Sequence, residues 1–185
     1  MRRNRTRVII AREIYFYFPL LLLLVPIRLI LALLLAVAVH EAFHIAAIRC
    51  LKIPVRSIYV GIRGMIIETP TMSPMQELLC SAAGPLGGTV LLLFLRWLPL
   101  VALVSAIQTL YNLLPIYPTD GGRVLRCITN LLLPENVAGT VINITENLTR
   151  IAIVAGGIFL IFWLHLGILP MLLVLSVLLG WQKRK

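Results

Sequence analysis

The sequence predicts an all-α polytopic membrane protein of about six transmembrane helices, with a short β-hairpin-like loop after the second. Of its 185 residues 60% are hydrophobic and 13% charged, whereas a soluble domain carries roughly a quarter charged residues. The mean hydropathy is +0.99. Charge is also unevenly placed: 17 Lys and Arg stand against 7 Asp and Glu, for a formal charge of +10. In so apolar a chain that excess reads as topology and contact with an anionic leaflet. No nucleic-acid partner is expected. The length suits one domain, 1–185, and the scattered Cys50, Cys80 and Cys127 form no CxxC pair.

The elements follow from the charge-free runs. A first span over 10–27 ends at Pro26 and Arg28, and a second covers 29–49. Third and fourth spans over 76–96 and 97–118 each match about one bilayer thickness. The uncharged stretch Ile151–Gln182 is too long for one straight helix at about 48 Å, and Gly167 and Pro170 divide it into spans 145–166 and 168–182. Six spans put both termini on one side. They place 15 basic residues inside and Arg28 and Arg96 outside, so both termini are expected in the cytosol. A signal peptide is excluded by the long basic start and the interruption at Pro26 and Arg28.

A charge at mid-span costs about 2.5 to 3.5 kcal/mol on insertion scales, so polar residues inside spans need a reason. His40-Glu41-Ala42-Phe43-His44 lies near the cytosolic end of the second span. Positions i and i+4 share a helix face, so both imidazoles can reach one metal ion, with Glu41 beside it as a base. The bland alternative is three polar residues capping a helix or facing a wet groove. Inside an apolar segment nothing would compensate them, whereas a metal does. Zinc needs a third protein ligand, and only Glu77 and Asp120 are acidic residues near span ends. Charge counting places Asp120 at the depth of His40 and His44. Pro115 and Pro118 must break the fourth span there, and irregular backbone at that depth belongs to a cavity lining or a protein interior. A plain turn in Thr119-Asp120-Gly121-Gly122 is the competing reading, and the ligand is favoured.

HExxH in a span, followed by NxxPxxxxDG at Asn112–Gly121, resembles the site-2 protease family of intramembrane zinc metalloproteases. Ser81-Ala-Ala-Gly-Pro-Leu-Gly-Gly88 is similar to that family's third-span motif, although Gly87-Gly88 replace a frequent Asn. The string from Asn112 to Arg123 looks closest to the compact six-span branch typified by the stage IV sporulation protein FB. The resemblance implies one Zn2+ held by His40, His44 and Asp120, with Glu41 as catalytic base. It also implies a multi-pass enzyme of a bacterial cell membrane. Its partners would be the lipid bilayer, a membrane-associated protein substrate such as a transcription-factor precursor, and a regulatory membrane protein. Regulation by CBS or PDZ modules is not expected, because neither is present.

Other residues stay open. Asn112 either bonds substrate backbone or oxyanion, as the resemblance suggests, or satisfies a carbonyl freed by Pro115. Two strand-like runs around Arg63-Gly64 predict a hairpin over Arg56–Thr69. Its edge, with Ile58, Val60 and Ile66, either pairs with an extended substrate or is an amphipathic loop lying on the cytosolic surface. His165, Trp97, Trp163 and Trp181 read as interfacial side chains. Gly84, Gly87 and Gly88 read as close helix packing. One rival is a prenyl-protein type zinc protease using Glu135 or Glu146 as third ligand. Another is a non-enzymatic metal transporter or pseudoprotease, which would not need Glu41.

Overall fold

The computed structural model describes residues 7–12, 14–61 and 64–162. The chain divides into two compact units, residues 1–113 and 114–185. The first holds β1 (Arg7–Ile10), α1 (Ile14–Leu24), α2 (Ile27–Cys50), β2 (Ser57–Gly61), β3 (Gly64–Glu68), α3 (Pro74–Leu92) and α4 (Pro99–Asn112). The second holds α5 (Asp120–Leu132) and α6 (Glu135–Phe162).

α2 is the frame of the first unit. Pro26 opens it, its carbonyl accepting from the amides of Leu29 and Ile30, and Pro is well suited to a helix start. At the other end Lys52 adopts φ 54°. The Ile53 amide then donates to the Ile48 carbonyl and the Lys52 amide to the Arg49 carbonyl. That is a Schellman closure, made here without the usual glycine. Among the described residues α2 is the one helix long and apolar enough to cross a membrane. Leu31 and Leu34 are exposed along it, an outer surface suited to lipid. On its inner side the small Ala32 and Ala36 pack with Leu91 of α3 and Val101 of α4.

α3 begins with a full capping box between Ser73 and Gln76, with Pro74 at its first position. α4 starts at Pro99 and stops at Asn112, before the two prolines that cannot continue a helix. Gly88 of α3 lets these helices touch, because a Cβ there would lie 2.0 Å from Thr109 Oγ1. Ser105 of α4 donates to the Gly88 carbonyl at 2.9 Å.

Several boundaries differ from the expectation. Residues 7–10 form a strand, not the start of a span, and α1 is only 11 residues long. The expected hairpin is present, but β1 joins it in parallel to β2, giving a three-stranded sheet ordered β1-β2-β3. The presumed connection after residue 118 contains α5, and α6 starts at Glu135 instead of residue 145. α5 was missed because a helix with Arg123, Arg126 and Asn130 on it lacks the run of apolar residues that marks a span. The expected span 168–182, with His165, Trp163 and Trp181, lies outside the described residues.

Candidate metal centre

The helical repeat of α2 brings His40 and His44 onto one face, and their Nε2 atoms are 3.2 Å apart. His40 is 4% exposed. The Nδ1 of His44 lies 2.7 Å from the Cys80 carbonyl of α3. A carbonyl only accepts, so Nδ1 carries the proton and Nε2 presents its lone pair. A backbone oxygen thus orients the ring, as is usual behind a metal ligand. Gly84 sits one turn along α3 from Cys80. A Cβ at Gly84 would lie 2.2 Å from His44 Nε2 and 2.6 Å from His40 Nε2. The packing reading of Gly84 therefore gains a specific object: it clears the space in which both imidazoles meet. Nothing local in the sequence says which side chains a glycine faces.

Glu41, between the histidines in sequence, is half-buried and accepts from the Met65 amide of β3 at 3.4 Å. This bond identifies the outer edge of the sheet. Main-chain groups alternate in direction along a strand. With Met65 turned toward Glu41, Ile67 also faces outward and Ile66 faces its β2 partner Tyr59. The Val60 carbonyl meanwhile accepts from the Ala11 amide on the β1 side. The expected pairing residues are corrected accordingly. Ile58 and Val60 lie on the central strand, flanked by β1 and β3, and have no open edge to offer. Ile66 is on the outer strand, but Met65 and Ile67 carry its outward main-chain groups.

The side-chain amide of Asn112, at the end of α4, comes 3.4 Å from His40 Nε2. Asn112 therefore faces the histidine pair. In the second unit, Asp120 is the first residue of α5, after the N-cap Thr119, whose hydroxyl accepts from the Gly122 amide. His40, His44 and Asp120 each offer one ligand atom and form a group that could hold a metal ion. The donor set, two imidazole nitrogens and one carboxylate oxygen, is that of a zinc enzyme with one position left open. The 3.2 Å between the Nε2 atoms also fits: tetrahedral ligands at about 2.0–2.1 Å from zinc stand about 3.3–3.4 Å apart. The rival third ligands fare differently. Glu135 is exposed in the first turn of α6. Glu146 is buried in ion pairs with Arg126 and Arg150.

A paired-histidine helix with an adjacent carboxylate, on a largely helical fold, is an arrangement that could hold a metal ion. That fold is similar to the Site-2 Protease from Methanocaldococcus jannaschii, at 22% sequence identity and a TM-score of 0.64, over 95% of this chain and 89% of that one. No protein-family model matches the chain, and no curated protein sequence matches it. The likeness is one of fold.

Proposed function

We propose that the chain is an intramembrane zinc metalloprotease that hydrolyses a peptide bond of a membrane-associated protein near the cytosolic face. The observation that carries this reading is the His40–His44 pair on one face of α2 beside Glu41, in a fold like that of a site-2 protease, with Asp120 as a further residue that could complete a metal site. His40, His44 and Asp120 hold the zinc and Glu41 is the base. A zinc ion bound there would polarise a carbonyl and lower the pKa of a water toward neutrality. Glu41 takes a proton from the attacking water and delivers it to the leaving amine. The Asn112 amide, facing the same space, donates to the substrate carbonyl. The architecture is six spans with both termini cytosolic in a bacterial membrane. The nearest branch is the compact sporulation type, and the substrate class is a membrane-tethered transcription-factor precursor.

A helical substrate hides its peptide bonds and must be extended before attack. The outer edge of β3 is suited to that, because a peptide pairing with Met65 and Ile67 runs beside Glu41. Ile67→Pro removes one outward amide and is expected to lower kcat/KM at least tenfold while zinc content is unchanged. Cleavage at the wild-type rate would reject the pairing.

The central test is zinc content and cleavage of membrane-tethered pro-proteins by detergent-purified protein. Wild type and Glu135→Gln are expected to hold about one zinc per chain, and Asp120→Asn to lose both zinc and cleavage. Wild-type zinc in Asp120→Asn would remove the third ligand, and with it this reading.

A further inference from the structure

Glu146 of α6 is 1% exposed, and a carboxylate so deeply placed must be compensated. Its Oε2 accepts from Arg150 Nη2 at 3.0 Å. Its Oε1 accepts from Arg126 Nη2 of α5 at 3.2 Å and from the backbone amide of Tyr117 at 3.4 Å. The Arg126 guanidinium also lies 4.4 Å from the centre of the Tyr117 ring, close enough for a cation–π contact. Glu146 and Arg126 therefore grip Tyr117 from both its main chain and its side chain, three residues before Asp120.

The rest of this loop is tied down just as closely. The Thr119 hydroxyl lies 2.6 Å from the carbonyls of both Leu114 and Ile116, to which it donates. Gly122 lies directly under the loop, since a Cβ there would approach the Ile116 carbonyl carbon to 2.4 Å and the Tyr117 nitrogen to 2.5 Å. The course of the chain into Asp120 is thus fixed at Leu114, Ile116, Tyr117 and Thr119. The Tyr117 anchor comes from outside the loop and the first turn of α5.

A buried ion pair is weak grounds for stability in itself, because desolvation offsets its Coulomb gain. What distinguishes this one is that its carboxylate also holds a loop amide. We infer that Glu146 is a positioning residue. Through Tyr117 and Arg126 it sets the backbone entering α5, and so the direction in which Asp120 presents its carboxylate. This rests on Asp120 being a metal ligand.

The test uses the full-length protein in detergent, with free Zn2+ set by a chelator buffer. Glu146→Gln and Asp120→Asn are compared with wild type. Zinc affinity, thermal unfolding of the metal-free protein and amide exchange over residues 116–119 are read together. Glu146→Gln is expected to weaken zinc binding of the folded protein about 10- to 100-fold and to speed exchange in the loop, in addition to the lower unfolding temperature that stranding Arg126 and Arg150 brings. A brace without a positioning role would lower the unfolding temperature and leave the affinity of the folded protein unchanged. That result overturns the inference. If Asp120→Asn loses zinc while Glu146→Gln binds it normally, the inference fails and the proposed function stands. Normal affinity in Asp120→Asn defeats both. Should Glu146→Gln not fold, Glu146→Asp keeps the charge but shortens the reach to Tyr117, and its affinity decides in the same way.

Discussion

Gly84→Ala is expected to yield a folded protein that no longer holds its metal. The added methyl would stand 2.2 Å from His44 Nε2 and 2.6 Å from His40 Nε2, well inside van der Waals contact. Both obstructing atoms are the far ends of side chains, so the imidazoles can swing aside while the backbones of α2 and α3 keep their packing. Fold is thus retained, and alanine is also the better helix former. What is lost is the convergence of the two nitrogens and the Cys80 carbonyl's hold on His44. Zinc affinity should fall by at least about 100-fold, the upper end for disturbing the groups behind a ligand. Gly139→Ala is the matched control, because nothing lies within 4 Å of a Cβ there. Zinc binding by Gly84→Ala at the wild-type level would show that the two nitrogens do not share a metal.

Glu41→Gln separates chemistry from metal binding. The amide has nearly the same shape but no basicity, so proton transfer fails while the imidazoles are untouched. Cleavage should drop by about 10²- to 10⁴-fold, the usual contribution of a general base, with about one zinc per chain retained. A transporter would instead keep its metal flux in this variant. Undiminished cleavage would assign the base elsewhere.

How much of this was legible in the sequence depended on distance along the chain. The HExxH pair was readable because helical periodicity is local: four residues fix which side chains share a face. The hairpin was readable for the same reason, with Arg63-Gly64 between two strand-like runs. β1 was not, because four residues pair with Ser57–Val60 far downstream and leave no periodic signal. Counting charges put Asp120 at the depth expected for His40 and His44, while a turn in Thr119-Asp120-Gly121-Gly122 was the competing reading of the same residues. The structure makes Thr119 an N-cap and Asp120 the start of a helix. A capping residue followed by an acidic first turn was the available signal. Glu146 appeared only as a rival ligand, because its partners lie on α5 and in the preceding loop and on its own helix at Arg150. Pairing across elements is a property of packing that sequence spacing does not encode.

The parallel pairing of β1 with β2 has a bearing on biogenesis. Arg7–Ile10 leaves the ribosome before its partner strand, which follows only after α1 and α2. β1 must wait through the synthesis of the helix that carries His40 and His44. Loop closure over such a separation is entropically unfavourable until that helix is in place. The three-stranded sheet can therefore be completed only once β2 has followed the HExxH helix, so the pairing of β1 is satisfied only then.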